Sequence, residues 1–594
     1  LGPAAIAVVV AGVAASAVLC WFAFMRNGAY GFPLDDAWIH LQFARNLIDY
    51  GSFSYFKDEM VTSGSTSPLY VFLLSAGFVL FKDEFLLSYA LGVSALCLAA
   101  FCLFAILRQW KLEPAFLCWT APLLMVLEPR LQWIALSGME TTLFIAGVFL
   151  ALLFYERKQG VGTGLSTGLL VWVRPEGLIF LGALGFDVLY RMLTARPERS
   201  GRKGSRHPAY ERGWIVRAAA VAAPVIIGYG IFNLSLSGTL FPNTYSAKLA
   251  YYSSNNSDFP VQLFHFLTGG HMALLSVFAG IGVVALSRGM LRRGKTPGPV
   301  YLLWPLLLVL AYWQKLPYLY QEGRYLMPVL PFVILLAVLG LTQTISVSRK
   351  WVPMMRRARV ARAVTVLVLV LIGAQTASAF WSMRVTYADD CRYISNRQVR
   401  TALWIRDHLP ADAKVATHDV GAIGYYSGRR VVDMVGLVSP SMIRNIGSFD
   451  GLTRFLVHQH TTHLALLRNW FEVANQNPLF HTGEEEPEIM EVFSYIPGVT
   501  SFVPQSLSRA AATASYYLSQ GKIDQAEYLL DQVVRAAPGY ARGQYLLGEV
   551  LLRLGRKDRA EQAFRTAIAI RPDFPEARRQ LVMLDPASSE KGTP

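Results

Sequence analysis

The chain holds 594 residues, 53% of them apolar and only 16% charged, with a formal charge of +15. That apolar share excludes an ordinary soluble multidomain protein, because the apolar residues gather into long uncharged runs. The positive charge lies in short clusters beside those runs, not along one basic face, which excludes nucleic acid as the partner.

In chain order, residues 1–25 carry no charge, and neither do 85–107, 218–245, 266–287, 325–348 and 363–383. Each run can cross a hydrocarbon core of about 30 Å as a helix, so a polytopic α-helical membrane protein is expected. The first run lacks the basic start of a cleavable signal peptide. Residues 191–217 hold eight basic side chains against Glu198 and Glu211, and smaller basic clusters lie at Arg288–Lys295 and Arg349–Arg362. Lys and Arg in short loops mark the cytoplasmic side. That assignment puts 26–65, 236–264, 314–323 and everything after about 384 on the extracytoplasmic side.

The middle of the chain allows two schemes. Residues 68–81 number fourteen, about 21 Å of helix, which suits a juxtamembrane or half-inserted segment. Then 85–107 runs inward, 113–128 outward and 138–155 inward. The stretch 163–190 is interrupted by Arg174-Pro175-Glu176-Gly177, where proline removes a helix hydrogen bond and glycine weakens the next turn. Two short helices in an outward-pointing hairpin are expected there. The other scheme, with 68–81 and 163–190 as ordinary spans, closes the count but puts Arg108, Lys111, Arg157 and Lys158 outside. The first scheme gives about eleven spans and a membrane domain over 1–383.

Residues 384–500 are mixed in character and predict a small extracytoplasmic α/β domain. Arg397–His408 reads as a helix, Val415–His418, Val431–Met434 and Leu464–Leu467 as strands, and Gly421–Gly428 as a glycine turn. Beyond them Gly521 and Gly555, Ala526 and Ala560, and Pro538 and Pro572 each recur at a spacing of thirty-four. With Leu547-Gly548, Phe564 and Ala567, that period predicts tetratricopeptide repeats over 505–586, an α-solenoid with a concave face, followed by a disordered tail at 587–594. Of the five cysteines only Cys391 lies outside an apolar segment, and no disulfide framework or zinc spacing is present.

The chemistry centres on Pro33-Leu34-Asp35-Asp36-Ala37-Trp38-Ile39-His40. One reading is structural: Asp35 caps a helix that runs along the membrane with Ile39, Phe43, Leu47, Trp38, Leu41 and Ile48 on its apolar face. The other is catalytic: one cap needs one carboxylate, and the second at a bilayer edge can deprotonate a hydroxyl or ligate a divalent cation such as Mg, Mn or Ca. His40, four residues after Asp36, shares its face and can bind metal or donate to a phosphate. Glu140, Arg174, Glu176, Lys248 and Arg324 sit inside or at the rim of apolar segments, where the cost of charge makes function the first hypothesis. All fall on the extracytoplasmic side. Arg174, Lys248 and Arg324 suit a phosphate-bearing ligand, with Glu176 able to pair with Arg174. Interfacial snorkelling and intramembrane pairing are the structural alternatives.

The ordered motifs Leu34-Asp35-Asp36-Ala37-Trp38-Ile39, Gly64-Ser65-Thr66-Ser67-Pro68-Leu69, Ser137-Gly138-Met139-Glu140, Arg174-Pro175-Glu176-Gly177, Pro242-Asn243-Thr244-Tyr245 with Ala247-Lys248, and Gly323-Arg324-Tyr325 carry a resemblance. The chain resembles the GT-C superfamily of polytopic glycosyltransferases that use polyprenyl-phosphate sugars, in the branch that includes the mycobacterial terminal arabinofuranosyltransferases. Asp419-Val420-Gly421-Ala422-Ile423-Gly424, Val432-Asp433 and Gly436-Leu437 resemble extracytoplasmic domains of that branch. The resemblance implies inverting transfer to an acceptor hydroxyl of a glycan or protein, with Asp35 or Asp36 as general base and His40, Glu140, Arg174, Glu176, Lys248 and Arg324 at the donor. It also implies a bacterial inner-membrane location. His40 departs from the pattern of many relatives. The repeats lie outside the branch's core pattern and resemble, by architecture, those of eukaryotic protein O-mannosyltransferases; they suit a protein partner or acceptor. A transporter or flippase for lipid-linked sugars, and a membrane-anchored repeat scaffold, are the competing classes.

Overall fold

The computed structural model describes residues 3–57, 64–194, 208–240, 242, 258–291, 297–317, 319–446, 448–483 and 488–584. The chain forms two compact units: Leu1–Ser395 with Gly436–Ile443, and Asn396–Val435 with Arg444–Pro594.

The first unit is helical. Its elements are α1 (Pro3–Asn27), α2 (Asp36–Tyr50), α3 (Pro68–Leu80), α4 (Glu84–Gln109), α5 (Leu117–Leu127), α6 (Pro129–Ala135), α7 (Thr141–Glu156), α8 (Gly160–Val173) and α9 (Gly177–Thr194). They continue as α10 (Pro208–Ser237), α11 (Phe259–Thr268), α12 (Met272–Leu291), α13 (Val300–Lys315), α14 (Leu330–Trp351) and α15 (Ala358–Ile394). Among the described residues seven helical segments are long and apolar enough to cross a membrane: those of α1, α4, α9, α10, α12 and α15, and 321–351, which contains α14. Shorter apolar helices are α3, α5, α7, α8 and α13.

Lipid gives little drive for apolar side chains to leave it, so close helix contact depends on small residues. Gly160, Gly164 and Gly168 form such a stripe on α8. A Cβ on Gly160 or Gly164 would lie 2.3 Å from the carbonyl oxygen of Trp214 or Ala218 in α10, and one on Gly168 would lie 2.8 Å from Val225 Cβ. The same holds for α12 on α14, where a Cβ on Gly282 would lie 2.0 Å from the Leu336 carbonyl oxygen. These glycines set the position of α8, whose C-terminal end carries Arg174.

The second unit joins a sheet to a helical array. Its elements are α16 (Arg400–His408), β1 (Lys414–Thr417), α17 (Val420–Ser427), β2 (Arg430–Asp433), α18 (Phe449–His458), β3 (His463–Leu467), β4 (Glu472–Val473), β5 (Phe480–His481), β6 (Met490–Ser494) and β7 (Phe502–Val503). The sheet order is β2-β1-β3-β6-β5. β1 lies parallel to β2 (Lys414 opposite Arg430) and to β3 (Val415 opposite His463), while β6 pairs antiparallel to β3 (Leu464 opposite Phe493). β4 and β7 form a separate antiparallel pair.

The repeats come next as α19 (Gln505–Ser519), α20 (Ile523–Ala536), α21 (Ala541–Arg553), α22 (Lys557–Ile570) and α23 (Pro575–Leu584). The thirty-four-residue period is visible in the backbone: Gly521 and Gly555 both adopt left-handed φ, +73° and +74°, to turn α19 into α20 and α21 into α22. Ala526 and Ala560 are fully buried between paired helices. β4 belongs with this array. Ser508 donates to Glu472 at 2.5 Å, Arg542 pairs with Glu472 at 3.4 Å, and the Ala541 amide donates to the Ala474 carbonyl at 3.2 Å.

Two local expectations need correction. Gly421–Gly428 is not a turn: Val420–Ser427 is helical, and only Gly428 takes a left-handed φ, +61°. Gly421 and Gly424 are buried there, so packing overrides their weak helix propensity. α15 continues unbroken past 384 to Ile394. α2 is not a surface helix. Ala37 to Ala44 are all buried while Ile48 is exposed, so its first half is covered on every side. The tail at 587–594 lies outside the described residues.

Candidate functional site

Three chain breaks build the site. At the first, Gly138 takes φ +73° and lies so close to the start of α2 that a Cβ would come within 2.8 Å of Ala37 Cβ and 3.0 Å of the Phe32 ring. Glycine is the residue that meets both demands without strain. The turn delivers Glu140 to the head of α7, buried at 3% exposure.

The second break is the expected one after Val173. Arg174 is extended (φ −154°, ψ +139°), and α9 restarts at Gly177, whose Cβ position is only 2.8 Å from the Leu170 backbone. Arg174 is thereby buried among acceptors. It donates from Nη2 to Glu176 at 2.8 Å and to the Tyr312 hydroxyl at 2.9 Å, and from Nη1 to Thr141 at 3.2 Å. Glu140 lies 3.3 Å from its Nη1. Tyr312 also donates to Glu176. A guanidinium fork suits this planar set of partners better than a lysine ammonium would.

The third break precedes Arg324. Gln321, Glu322 and Gly323 take left-handed φ of +53°, +57° and +70° in succession, two of them on residues with a Cβ. This strained segment turns the chain so that Arg324 is buried at 5% exposure. Its Nη2 donates to Asp36 Oδ2 at 2.6 Å and to the Tyr325 hydroxyl at 3.2 Å. The guanidinium stacks 5.0 Å from the Tyr325 ring centroid. Its Nε and Nη1 are buried and have no hydrogen-bond partner among the described residues.

A cavity of about 360 Å³ opens between these breaks. Glu140, Arg174, Glu176 and Arg324 line it, as do Thr66, Tyr312, Lys315 and Tyr325, with Leu178, Ile179, Ala311 and Leu316 as its apolar wall. Asp36 reaches it through Arg324. Sequence reasoning does not single out Tyr312 and Lys315, although a lysine ending the apolar run 300–313 is the kind of rim charge that marks the other residues.

The candidate residues separate into distinct places. Asp35 has helical backbone (φ −67°, ψ −33°) and makes no side-chain capping bond, so the cap reading is corrected: a cap residue needs extended backbone to aim its oxygen at the first turn. His40 does not line the cavity. Its Nδ1 meets Ser65 Oγ at 3.0 Å and its Nε2 lies 3.3 Å from Glu140 Oε2, so it props Glu140 from behind. Lys248 lies outside the described residues. The three-residue cation set of Asp35, Asp36 and His40 does not fit either. Both ring nitrogens of His40 are engaged, Asp36 is held by Arg324, and among the described residues no three His, Cys, Asp or Glu side chains gather to hold a metal.

The arrangement places cations at the wall of a partly apolar cavity, beside a carboxylate. The overall fold is similar to that of the crystal structure of ArnT from Cupriavidus metallidurans in the apo state, with a TM-score of 0.52 and 13% identity over 81% of this chain and 97% of that one. The chain shares the fold of ArnT. The arabinofuranosyltransferase AftD from Mycobacteria, seen by single-particle cryo-EM, matches with a TM-score of 0.45 and 14% identity over 81% of this chain and 39% of that one. Within the chain, residues 390–529 match a domain of unknown function, DUF8728, and 512–575 match the tetratricopeptide repeat. No curated protein matches the sequence.

Proposed function

We propose that the protein is an inverting glycosyltransferase of a bacterial inner membrane. It moves a sugar from a polyprenyl-phosphate donor to an acceptor hydroxyl on the extracytoplasmic face. One observation carries this reading: Arg324 lies against the cavity with two buried N–H groups lacking acceptors among the described residues, and its third position holds Asp36. A buried donor without an acceptor costs about 1–3 kcal/mol. Separate oxygens of a ligand in the cavity, such as those of a phosphate ester, would supply these acceptors.

In this reading Arg324, Arg174 and Lys315 surround the donor phosphate, with Lys248 as a further candidate. The apolar wall of Leu178, Ile179 and Leu316 receives the first carbons of the polyprenyl chain. The acceptor hydroxyl oxygen attacks the anomeric carbon as the bond from that carbon to the phosphate oxygen breaks. The hydroxyl proton passes to Asp36 or Asp35, and polyprenyl phosphate leaves with its added negative charge facing the guanidinium groups. Attack opposite the departing phosphate inverts the anomeric centre. Glu140 and Glu176 hold Arg174 in place, and His40 and Ser65 hold Glu140.

The topology that suits this chemistry has about eleven spans, the short α3 at the membrane surface and the α8–α9 break pointing outward. The second unit then lies outside, where the sheet and repeats meet a glycan or protein acceptor. The test is transfer from a synthetic polyprenyl-phospho-sugar by the purified full chain in nanodiscs. Asp35→Asn or Asp36→Asn should lower the rate by a factor of about 10²–10⁴. Full transfer by both variants would refute the base assignment. Movement of the donor across the bilayer with no transfer product would make the protein a transporter.

A further inference from the structure

A second cavity lies far from the first. It occupies about 570 Å³ where α1, α4, α5 and α7 come together, within the range of about 300–1,000 Å³ typical of ligand sites. It is lined by Phe101, Phe104, Arg108 and Gln109 of α4, Trp119 of α5 and Arg157 at the end of α7. α7 spans sixteen residues from Thr141, which lines the first cavity, to Glu156, next to Arg157. The two cavities are thus separated by about 24 Å of helix. That is most of a bilayer core.

The lining is both cationic and aromatic. Phe104 and Trp119 stack with centroids 3.6 Å apart, and the Arg108 guanidinium lies 5.8 Å from the Phe104 ring centroid. No carboxylate lines the cavity, and neither arginine makes an ion pair among the described residues. The neighbouring acid, Glu156, is engaged elsewhere, by Arg191 at 2.9 Å and the Tyr301 hydroxyl at 3.2 Å.

A structural account exists for the arginines. Arg108 is in the last turn of α4 and Arg157 caps α7, so both complement helix C-termini. Each such end carries about half a negative charge. Two ends offset about one of the two positive charges, which leaves about one on these exposed side chains beside an aromatic wall. A phosphodiester carries one negative charge, and basic pockets between membrane helices bind anionic headgroups.

We propose that this cavity is a binding site for an anionic phospholipid, with its headgroup phosphate between Arg108 and Arg157 and its acyl chains against Phe101, Phe104 and Trp119. The site is separate from the donor cavity and does not depend on the reaction proposed there.

The experiment uses the full chain in phosphatidylcholine nanodiscs titrated with phosphatidylglycerol, with retained lipid counted by native mass spectrometry. Wild type should hold phosphatidylglycerol through detergent exchange. Arg108→Gln with Arg157→Gln should weaken the apparent affinity about thirtyfold. Arg108→Lys with Arg157→Lys should keep most of it, which separates charge from packing. Arg349→Gln with Arg356→Gln removes two positive charges outside the cavity and should leave binding within about threefold. Equal loss in both Gln pairs would reduce the effect to diffuse surface charge and overturn the site. Full competition by inorganic phosphate would make the occupant a soluble anion and overturn the lipid assignment.

Discussion

Asp36 and Arg324, 288 positions apart in the chain, form an ion pair of 2.6 Å at the wall of the site cavity. The pair holds the carboxylate in contact with a cation that a phosphate ligand would also claim. Arg324 follows three left-handed residues, two of them with a Cβ, while its own backbone is helical (φ −48°, ψ −33°). Asp36→Asn should therefore tighten binding of sugar-free polyprenyl phosphate about tenfold, by releasing Arg324, even as it slows transfer. The gain should vanish in an Arg324→Ala background. If it persists there, simple loss of negative charge explains it and Arg324 is not shared. Failure of wild type to bind polyprenyl phosphate at all would instead sink the glycosyltransferase reading.

Arg174 is the hub of a buried network with Glu140, Glu176, Thr141 and Tyr312. Arg174→Ala leaves two buried carboxylates without their shared cation and should cost about 3–5 kcal/mol. Arg174→Met combined with Glu140→Gln and Glu176→Gln should recover much of that loss, since the uncompensated charge is then gone. Thermal inactivation half-lives of the detergent-solubilised variants measure both effects.

Gly138→Ala should cost about 1–2 kcal/mol from the left-handed backbone alone, with a further steric term against Ala37. The displaced turn carries Glu140, so the site should distort along with the fold. Ala37→Gly in the same chain relieves the contact with Ala37 and leaves the backbone term and the contact with the Phe32 ring. Partial restoration of melting temperature in the double variant is expected; none would place the cost elsewhere.

In the second unit, His418 is buried at 3% exposure and stacks 5.3 Å from Trp470. Burial holds its pKa below the ordinary value of about 6.5, against the opposing pull of Asp419 at 3.8 Å. The unfolded chain thus binds the proton more readily than the folded one. Stability from this residue is complete above about pH 6.5 and falls as the pH drops towards the folded value, by up to about 1.4 kcal/mol per pH unit. Hydrogen exchange of β1 in the full chain, corrected for the intrinsic rate, should accelerate between pH 7 and about pH 5. His418→Phe should flatten that limb. A profile unchanged by the substitution would assign the acid sensitivity to another group.

The features readable from the chain alone rest on short-range physics. Uncharged runs of bilayer length announce membrane helices, Pro175 with Gly177 interrupts the run 163–190, and the recurrence of Gly521 and Gly555 exposes the repeats. Each is a property of a few consecutive residues. The rim charges Glu140, Arg174 and Arg324 are legible for a related reason, because charge beside lipid is costly enough to demand a role.

Tertiary structure decided what each charge faces. Whether Asp36 pairs with Arg324, whether His40 looks into the cavity or braces Glu140, and whether Tyr312 and Lys315 join the site all depend on helices far apart in the chain. Their approach is governed by backbone contacts such as that of Gly164 with Ala218 and by the left-handed turn at Gly138. The helix over Gly421 and Gly424 makes the same point: local propensity disfavours it, and burial against the rest of its unit forms it. Propensity and hydropathy act over one or two turns of chain, whereas the direction of a buried charge is the sum of contacts from every element packed around it.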